Sequence, residues 1–415
     1  MPSTYSPGST GSHSHVVAVI GAGTAGMASA LLLARAGHRV TLFERVAVPG
    51  PVGAGLLLQP TGLHVLEHLG LANQIRATGA RIERLLGTTA DGRKILDLTY
   101  ADQGPDVHGV GIHRGALSNA LWSAVRTANL TLRLGAEVER VELVGDYAVE
   151  VRERSGLAGQ FDLVVLADGT FSQLRSQVAI PHEITVYPWG AWWTIVRDPE
   201  RRYQGVLRQM YRDASQMLGI MPVGRLGASA FSTIQYVTLF WSVRRNDEAP
   251  LRARGLEAWK DEVLALAPEA EPLIAQIDEM EQLIFATYAD VRMYPWHDRR
   301  IVVIGDAAHA TSPQLGQGAN LALIDALVLT RCLALLADIP IALAAYTAVR
   351  KSHLNYYQLA SSALTPVFQS DSRVLPFLRD RLLPYACRLP GVRGQMLSTL
   401  TGNKAGMLGG KLQLG

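Results

Sequence analysis

Four short apolar runs along the chain have the pattern of strands that are buried on both faces. Each is rich in valine, leucine or isoleucine, and each is soon followed by a glycine or an acidic residue. They are residues 16–20, 40–43, 163–166 and 301–304. The stretch after Gly26, through Arg35, carries apolar side chains at helical spacing, and Gly37 can end that helix in a left-handed conformation. This pattern predicts a parallel sheet with a crossover helix, as in α/β domains.

The stretch between residues 183 and 285 has a different pattern. Several runs there are long, aromatic and partly alternating, as expected of an antiparallel sheet. These predicted strands are residues 190–196, 206–212, 216–222 and 232–243, with 283–289 returning toward the first domain. Residues 254–266 and 271–279 have the spacing of helices. We therefore expect an antiparallel sheet domain inserted into the α/β domain.

Helical spacing returns after the last buried run, around residues 343–360. The amphipathic stretch 374–383 could close a pocket, form a dimer or touch a membrane, and ordinary packing is the simplest reading. The chain is expected to begin with a disordered tail at 1–15 and to end with a C-terminal helical segment at 341–415. Between them lie the α/β domain at 16–182 and 286–340 and the inserted domain at 183–285. Part of 72–105 is expected on the side of the inserted domain.

Composition and charge narrow the class of protein. The chain has 415 residues, of which 48% are hydrophobic and 18% are charged, as in globular proteins. It carries 39 basic and 36 acidic residues, a net charge of +3 that is too even to favour nucleic acid as a partner. The two cysteines, Cys332 and Cys387, lie in apolar surroundings without metal-ligand spacing, so we predict buried thiols and no metal site.

Neither a signal peptide nor a stable membrane span is expected from the sequence. Residues 1–15 are polar and lack the apolar core of a secretory signal. The most apolar long stretch, 319–337, is interrupted by Asn320, Asp325 and Arg331, and so predicts a buried helix. With so few cysteines, the chain fits a reducing compartment, and we expect a cytoplasmic location.

A glycine-rich turn follows the first predicted strand. Gly21 permits a tight turn, Gly23 lets the backbone approach a pyrophosphate, and Gly26 lets the helix pack closely on the strand. The N-terminus of the following helix offers free N–H groups and a positive dipole end to phosphates. Glu44 ends the second strand, where a carboxylate can accept hydrogen bonds from ribose hydroxyls. The strand, turn, helix and acid together predict dinucleotide binding.

Two further glycine–acid motifs follow the other buried runs. Asp168 and Gly169 come after the third run, with Arg175 nearby as a candidate partner for phosphate. Gly305 and Asp306 come after the fourth run, ahead of the glycine-rich stretch 313–320 that opens a long apolar helix. A carboxylate just after a strand can accept from sugar hydroxyls, although Asp306 could instead cap a helix.

These three motifs, in this order and spacing, resemble the para-hydroxybenzoate hydroxylase-like (group A) family of FAD-dependent aromatic monooxygenases. Salicylate and hydroxynicotinate hydroxylases are the members most similar in length. The resemblance covers about residues 16–365 and includes the segment 53–71 and an arginine, Arg114, that opens a helix. Thr61 departs from the asparagine that the family often has at this position, which puts only local flavin contacts in doubt.

The resemblance implies an α/β fold with a Rossmann-like FAD-binding domain of the GR2 type, an inserted antiparallel-sheet substrate domain and C-terminal helices. It also implies that FAD is held by residues from all three motifs. Those residues are Gly21, Gly23, Thr24, Ala25, Gly26, Glu44, Arg45, Arg114, Asp168, Gly169, Asp306, Gly316, Gly318, Ala319 and Asn320.

The resemblance further implies an NAD(P)H-dependent hydroxylation of a small aromatic or heteroaromatic substrate. In the family, NADH or NADPH reduces the FAD, O2 adds to flavin C4a, and the hydroperoxide delivers oxygen to the ring. The chain has no second glycine-rich nucleotide motif, so the nicotinamide cofactor is expected to bind only transiently. The sequence does not choose between NADH and NADPH, and a homodimer is one assembly that it allows.

The sequence identifies no catalytic base, and its substrate contacts are weak candidates. Tyr211 is the best polar candidate for holding a phenol or carboxylate, Arg208 is next, and Pro313 would lie at the flavin edge. The aromatic and apolar candidates Trp193, Met217 and Tyr236 compete with a plain role in the core, which is commoner for such residues in strands.

Other functions stay open at this point. A flavin-dependent halogenase is disfavoured because Trp192 and Trp193 are adjacent and do not form the spaced Trp-x-Trp-x-Ile-Pro pattern of that group. An epoxidase or oxidase acting on a non-phenolic substrate would use the same FAD motifs. A non-catalytic flavin-binding protein is disfavoured because all three motifs are intact.

Overall fold

The computed structural model describes residues 14–50, 53–226, 234–406, 410 and 412. Most of the expected N-terminal tail therefore lies outside the described residues. The strands, in chain order, are β1 (Val16–Ile20), β2 (Arg39–Glu44), β3 (Gly55–Leu58), β4 (Ala80–Thr89), β5 (Lys94–Thr99), β6 (Gly109–His113), β7 (Thr131–Leu134), β8 (Val138–Val144), β9 (Ala148–Glu153), β10 (Gly156–Phe161), β11 (Leu163–Leu166), β12 (His182–Arg197), β13 (Gly205–Arg212), β14 (Gln216–Gly224), β15 (Tyr236–Arg244), β16 (Ile284–Met293), β17 (His297–Asp298) and β18 (Ile301–Val303).

The helices are concentrated beside the first sheet and at the C-terminus. They are α1 (Thr24–Arg35), α2 (Pro60–His68), α3 (Ala72–Thr78), α4 (Arg114–Thr127), α5 (Glu248–Ala253), α6 (Leu256–Leu266), α7 (Glu271–Ile274), α8 (Asp306–His309), α9 (Gly318–Leu335), α10 (Ile339–Phe368), α11 (Val374–Ala386) and α12 (Pro390–Leu400).

The four apolar runs form the centre of a six-stranded sheet with the order β17-β18-β11-β1-β2-β7. β1 pairs in parallel with β2 on one side and with β11 on the other, and β18 continues the sheet beyond β11. β1, β11 and β18 are buried almost throughout, which explains why their sequences do not alternate. Because the strands are parallel, the three glycine–acid motifs that follow them meet at one edge of the sheet.

The second large sheet has nine strands and mixes distant parts of the chain. Its order is β16-β12-β15-β14-β13-β4-β6-β3, with β5 paired to β4. β12 to β15 are antiparallel neighbours, whereas β4 joins β13 in parallel. Strands from residues 55–113 therefore complete a sheet whose other half comes from residues 182–293, and this shared sheet ties the two parts of the fold together.

Each face of this sheet has its own apolar cluster. On the outer face, Trp192, Leu218 and Trp241 pack with residues of α6 and α7. On the inner face, Trp193, Phe240 and other side chains pack toward β3, β5 and the C-terminal helices. A strand directs successive side chains to opposite faces, so adjacent residues such as Trp192 and Trp193 belong to different clusters.

Two of the predicted helices differ in length from the observed ones. Residue 255 is a glycine with φ of +88°, and it separates α5 from α6, so the predicted helix at 254–266 begins later. The predicted helix at 271–279 ends at Ile274, and its remainder is a loop followed by a short 3-10 turn. Helical spacing alone does not reveal such endings.

The long apolar helix α9 is a core element. It packs between α1, α2 and α10, and most of its side chains are buried. Among the described residues it alone is long and apolar enough to cross a membrane, and 72% of it is buried inside the protein. Such burial is typical of the central helix of a globular domain.

Candidate active site

The glycine-rich turn between β1 and α1 is a close-packed junction. Gly21 has a φ of +101°, and a Cβ atom there would lie 2.5 Å from the carbonyl oxygen of Ala167 at the end of β11. A Cβ atom on Gly26 would lie only 1.8 Å from the carbonyl oxygen of Gly21. Only glycine fits these two positions, which hold α1 against the first and second motifs.

Gly23 differs, because a Cβ atom on it would meet nothing within 4 Å. It is exposed and is the N-cap of α1, and no side chain caps this helix. The first N–H groups of α1, from Thr24 and Ala25 onward, therefore face open space together with the positive end of the helix dipole. This arrangement fits a phosphate group, which needs both backbone donors and room for close approach.

Glu44 lies at the end of β2 and is fastened to the same turn. Its two carboxylate oxygens accept hydrogen bonds from the backbone N–H groups of Ala22 at 2.8 Å and Val46 at 2.9 Å. The carboxylate is thus held in place beside the turn, where its remaining lone pairs can accept from a sugar. Arg45 follows it and is exposed.

The second motif brings a buried carboxyl to the same edge. A Cβ atom on Gly21 would lie 3.0 Å from the Cα atom of Asp168. One oxygen of Asp168 accepts from the Ser172 hydroxyl at 2.7 Å, and the other is buried without a partner. Burial raises the pKa of this carboxyl, although the Ser172 hydrogen bond opposes the shift. Gly169, with a φ of +90°, leaves open space beside it.

Arg175 is not placed to bind a phosphate. Its side chain is fully buried, and its guanidinium donates to the carbonyl oxygens of Ala307 and Thr170. Burial lowers its pKa. Arg175 therefore connects the second motif to the third motif, in place of the phosphate contact expected from the sequence.

The third motif packs directly on the first. Gly305 has a φ of +60°, and a Cβ atom there would lie 2.8 Å from the Cβ atom of Ala25. The next residue, Asp306, is exposed and makes no hydrogen bond or ion pair within the described part of the chain. Its carboxylate is near the start of α9, with Oδ1 only 3.6 Å from where a Cβ atom of Gly318 would be. A free carboxylate at this position fits a ligand that carries hydroxyl groups.

The loop from Pro313 to Asn320 is held by its own amide side chain. Asn320 accepts from the N–H of Gln59 at 2.8 Å and donates to the carbonyl oxygens of Leu57 and Gly316. Because Asn320 is fully buried in these contacts, it supports the loop from behind. Pro313 is exposed, and Gly316 is left-handed with a φ of +60°. Gly318 and Ala319, at the start of α9, are half-buried, and no side chain caps this helix.

Arg114 opens α4 beside this region. Its side chain is exposed and has no hydrogen-bonding partner in the described part of the chain. A Cβ atom on Gly53 would lie 2.9 Å from the Cδ atom of Arg114, so the glycine makes room for the side chain. The guanidinium is therefore a free cation next to the segment that leads into β3.

A buried charged network lies behind the third motif. Asp325 of α9 accepts from the N–H of Gly305 at 2.9 Å, from His309 Nε2 at 2.6 Å and from Arg350 Nε at 2.8 Å. Arg350 also donates to Nδ1 of His353, whose Nε2 is 3.1 Å from the carbonyl oxygen of Gly402. Burial alone would raise the pKa of Asp325, but His309 and Arg350 bring it well below its usual value.

The C-terminal residues after α12 reach the same loop. Gln317 donates to the carbonyl oxygen of Leu400 at 2.7 Å, and Thr61 donates to that of Thr401 at 3.4 Å. A Cβ atom on Gly402 would lie 2.2 Å from Thr61 Oγ1. Thr61, the position that departs from the family pattern, therefore contacts the C-terminal segment.

The inner face of the nine-stranded sheet covers this group of segments. Thr238 on β15 contacts Gly55 at the start of β3, and Leu57 on β3 contacts Gly316. The side chains that the strands direct to the central part of this face are uncharged: Trp193, Ile195, Leu207, Gln209, Tyr211, Met217, Met221, Tyr236, Thr238 and Phe240. Aromatic and apolar groups therefore dominate the surface that faces β3.

Trp193 and Tyr288 form a polar pair within this aromatic surface. The indole N–H of Trp193 donates to the Tyr288 hydroxyl at 3.0 Å, and the Trp193 ring lies 4.9 Å from the ring of Phe240. The Phe240 ring occupies the space above Gly219, where a Cβ atom would overlap with it. Burial raises the pKa of Tyr288, so its hydroxyl keeps its proton. That proton can be donated to a ligand.

Tyr211 and Arg208 lie on opposite faces of β13. Tyr211 is on the inner face, fully buried, with its ring 4.8 Å from the guanidinium of Arg379 and 5.5 Å from the ring of Phe368. Arg208 is on the outer face, where it pairs with Glu269 at 2.7 Å. The sheet therefore separates Arg208 from the inner surface, and we do not retain it as a substrate contact.

Several residues that shape this site were given no role by the sequence motifs. These are Tyr288, Gln59, Gln317, Asp325, Arg350 and His353. One signal was available: Asp325 is a charged residue in the middle of an apolar helix, and a buried charge requires a partner. The sequence does not show which residue supplies that partner.

The described residues fit FAD by their chemistry. The site combines an uncapped helix N-terminus with open space at Gly23, a free carboxylate at Asp306 and a free guanidinium at Arg114. A dinucleotide with a pyrophosphate and a hydroxylated chain needs donors, a cation and an acceptor of these kinds. The close packing at Gly21 and Gly26 holds them at one edge of the parallel sheet.

Comparison with known proteins gives the class. The profile of the family described as FAD binding domain matches residues 14–355. The chain is 29% identical over 388 residues to aurachin C monooxygenase/isomerase of Stigmatella aurantiaca, covering 88% of this chain and 93% of that protein. It is 27% identical over 330 residues to 6-hydroxynicotinate 3-monooxygenase of Bordetella bronchiseptica, covering 76% and 82%. The HpxO structure from Klebsiella pneumoniae, complexed with FAD and uric acid, superposes with a TM-score of 0.77 at 22% identity, covering 95% of this chain and 98% of that chain.

The chain belongs to this family of FAD-dependent aromatic monooxygenases, the group A hydroxylases. It is a flavoprotein enzyme with FAD as its cofactor. The prediction of an α/β fold with a FAD-binding domain and C-terminal helices is confirmed. The family assignment made from the three motifs is confirmed as well.

Proposed function

We propose that this enzyme uses NADH or NADPH and O2 to hydroxylate a small aromatic or heteroaromatic compound that carries no charge near the reacting ring. The observation that carries this proposal is the inner face of the nine-stranded sheet, which sets aromatic, uncharged side chains over the segments that fit FAD. Among the described residues, the strands direct no charged side chain to the central part of this face, and Arg379 beside Tyr211 is already engaged by Asp380 and two backbone carbonyls. A substrate carboxylate would therefore be buried without a free ion-pair partner, which is costly.

The geometry supports the following roles of the chain in holding FAD. The first N–H groups of α1 and the Arg114 guanidinium would bind the pyrophosphate, and Glu44 would accept from the ribose. Asp306 would accept from the ribityl hydroxyls, and the Gly316 region would run along the flavin ring. When bound, FAD would supply the redox chemistry: with two electrons taken from the nicotinamide as a hydride, one atom of O2 would enter the substrate ring and the other would leave as water.

The chain itself would bind and orient the substrate. Tyr288, with its oxygen engaged by Trp193, would donate its proton to a phenol oxygen, a ring nitrogen or a carbonyl of the substrate. The rings of Trp193 and Phe240 would pack against the substrate and exclude water, which prevents side reactions of reactive intermediates with water. Tyr211 would contribute apolar surface, because it lies buried against Phe368.

The test is flavin reduction by NADH and NADPH, followed by stopped-flow absorbance, with matched pairs of neutral and acidic ligands. Suitable pairs are phenol with 4-hydroxybenzoate and 4-hydroxyquinoline with its carboxylate derivative. A neutral ligand is expected to speed reduction by at least tenfold more than its acidic partner, and product analysis should show one added oxygen atom. Equal or greater stimulation by the acids would remove the uncharged-substrate part of the proposal.

The same experiment separates the alternatives. An oxidase would be reduced by the substrate itself, without NADH or NADPH, and would release peroxide. A halogenase would need halide and would yield a halogenated product. A protein that binds FAD but is reduced by neither nicotinamide under any condition would not be a monooxygenase of this kind.

A further inference from the structure

The C-terminal helix α11 exposes an apolar face to solvent. The large apolar side chains on this face have 43–67% of their surface exposed, and they recur at spacings of three and four residues. They are Val374, Phe377, Leu378, Leu382, Tyr385 and, just past the helix, Leu389. Such spacing places all of them on one side of the helix. A contiguous exposed apolar surface of this kind usually marks an interaction site.

The opposite face of α11 shows that this orientation is fixed. Arg379 points inward, where it donates to the carbonyl oxygens of Val367 and Asp213 and lies over the rings of Tyr211 and Phe368. The helix thus buries an arginine while it exposes leucine, phenylalanine and tyrosine. Turning the helix over to hide its apolar side would break these buried contacts of Arg379, so the exposed face is a stable feature of the fold.

Basic residues accompany the apolar side chains. Arg373, Arg381 and Arg388 are exposed, and the guanidinium of Arg381 lies 3.7 Å above the ring of Phe377. The acidic residues of the same region already form ion pairs with other arginines: Asp371 with Arg244 at 3.1 Å and Asp380 with the inward-pointing Arg379 at 2.8 Å. The exposed face of α11 is therefore apolar and positively charged.

We propose that the exposed face of α11 docks the protein on the surface of a lipid bilayer that contains anionic lipids. An apolar helix face flanked by arginines is the arrangement that inserts shallowly among headgroups, with each arginine attracted to negative charge. A second copy of the chain fits less well, because an antiparallel twofold contact centred on this face would set the arginines of the two copies against one another. Phe377 and Tyr385 are the aromatic side chains that favour the bilayer interface.

The docking face lies on the far side of the helix from the inner surface of the sheet. Leu383 of α11 and Phe368 belong to the same apolar cluster as Tyr211 and Phe240. If the proposed function holds, a lipophilic aromatic substrate would pass from the bilayer to the sheet over the width of one helix. The docking proposal itself does not depend on the reaction.

The experiment is vesicle co-sedimentation of the FAD-loaded full chain. Vesicles of phosphatidylcholine alone are compared with vesicles that also contain phosphatidylglycerol, at low and high salt. The protein is expected to sediment with the anionic vesicles and to be released by salt. The double variant Arg381→Ala/Arg388→Ala should lower the partition coefficient about 30-fold, since each basic residue near the surface contributes about a factor of five. The double variant Leu382→Ser/Tyr385→Ser should also abolish sedimentation.

Matched controls and the opposite outcomes make the test decisive. Leu157→Ser/Leu335→Ser removes two apolar side chains that are equally exposed on other surfaces, and Arg245→Ala removes an exposed arginine elsewhere; both should sediment like the wild type. Bound FAD and the thermal melting curve confirm folding in each variant. Failure of the wild type to bind anionic vesicles overturns the proposal, and so does a dimer in light scattering that Leu382→Ser/Tyr385→Ser dissociates. Either result leaves the reductive assay of the proposed function unaffected.

Discussion

Gly23 and Gly26 are three residues apart in one turn, yet the packing of the turn requires glycine only at position 26. Gly26 is needed for the fold, because any side chain there would overlap with the carbonyl of Gly21. Gly23 has φ of −76° and free space around it, so the protein without ligand tolerates a methyl group there. The motif therefore contains one position that serves packing and one that serves the ligand.

This contrast gives a direct prediction. Gly23→Ala should leave the free energy of unfolding of the FAD-free protein within about 0.5 kcal/mol of the wild type but should weaken FAD binding, because the methyl group occupies the space that the pyrophosphate needs. Gly26→Ala should destabilise the FAD-free protein by about 3 kcal/mol or more, as expected for overpacking against backbone. Urea unfolding and flavin fluorescence titration measure the two effects. Equal loss of stability in both variants would contradict the assignment.

Asp306 is the second residue whose role can be isolated. Its carboxylate is exposed and has no protein partner in the described part of the chain, so its removal should not affect folding. Asp306→Asn should weaken FAD binding about 10- to 100-fold, since hydrogen bonds to a charged group contribute about 1.5–3 kcal/mol. The matched control is Asp146→Asn, an exposed carboxylate in the turn between β8 and β9. A variant that retains wild-type affinity for FAD would show that Asp306 does not contact the cofactor.

Tyr288 is the residue for which we expect an effect on substrate and none on FAD. Tyr288→Phe removes the hydroxyl that Trp193 holds, and should raise KM for a neutral aromatic substrate about tenfold, the value of one hydrogen bond. Steady-state kinetics of NAD(P)H oxidation gives KM, and flavin titration gives the affinity for FAD. Tyr147→Phe, at an exposed tyrosine in the turn between β8 and β9, serves as the control. An unchanged KM in Tyr288→Phe would exclude the proposed hydrogen bond to substrate.

At the residue scale, the sequence could locate the glycines and acids at the ends of the buried strands because these features are local. A turn, a cap and a strand end involve residues close together in the chain. Alternation along β13 places Tyr211 and Arg208 on opposite faces of the sheet. It does not say which of the two faces lies toward the three glycine–acid motifs. Arg175 was predicted to contact phosphate because the sequence does not reveal its hydrogen-bond acceptor. That acceptor is the carbonyl oxygen of Ala307, which is far away in the chain.

At the scale of elements, the buried strands were predicted closely because continuous apolar runs are a strong signal. Helix α9 was predicted as buried, but its charged residue Asp325 was read only as an interruption of a membrane span. In the structure Asp325 joins α9 to α10 and to the turn at Gly305. Helix α11 was predicted as amphipathic, yet the periodicity could not reveal that its apolar side faces outward.

The junction of α9 with α10 should make stability depend on pH. Burial lowers the pKa of His353 to about 3, with the Arg350 guanidinium acting in the same direction. In the unfolded chain His353 takes up a proton near its usual pKa of about 6.5, while the folded chain keeps it neutral. The stability that depends on neutral His353 is therefore present above pH 6.5 and is lost as the pH falls toward 3.

His353→Gln removes this dependence, because glutamine does not titrate. Between pH 6.5 and pH 5 the wild type should lose about 2 kcal/mol more stability than the variant, at about 1.4 kcal/mol per pH unit. Asp325 has a lowered pKa and contributes to acid unfolding only below about pH 4, so it does not enter this interval. Urea unfolding at the two pH values measures the difference. Parallel pH dependence in both proteins would mean that His353 is protonated in the folded state.

On the scale of the whole molecule, the cofactor site is built from both ends of the chain. The first motif lies near residue 21, the third near residue 306, and the C-terminal segment at Thr399–Leu400 holds the loop that contains Gln317. The nine-stranded sheet that covers this site likewise combines strands from residues 55–113 with strands from residues 182–293. The sequence predicted an inserted domain with part of residues 72–105 on its side. β4 and β5 lie within that part, and β3 and β6 also complete the sheet.

This interleaving predicts that the protein unfolds as one unit and that FAD stabilises all of it. A ligand that binds only the folded state adds about 4 kcal/mol of stability at a concentration 1,000 times its Kd. Since the segments that fit FAD are joined to the nine-stranded sheet by the Gly55–Thr238 contact, FAD should raise the melting temperature seen by far-UV circular dichroism and by tryptophan fluorescence equally. Most tryptophans report on the nine-stranded sheet, because Trp189, Trp192, Trp193 and Trp241 lie in it and Trp259 packs on its outer face, whereas Trp122 and Trp296 belong to the other core. Two separate transitions, with FAD leaving the melting temperature of the tryptophan signal unchanged, would show that the nine-stranded sheet folds independently of the cofactor site.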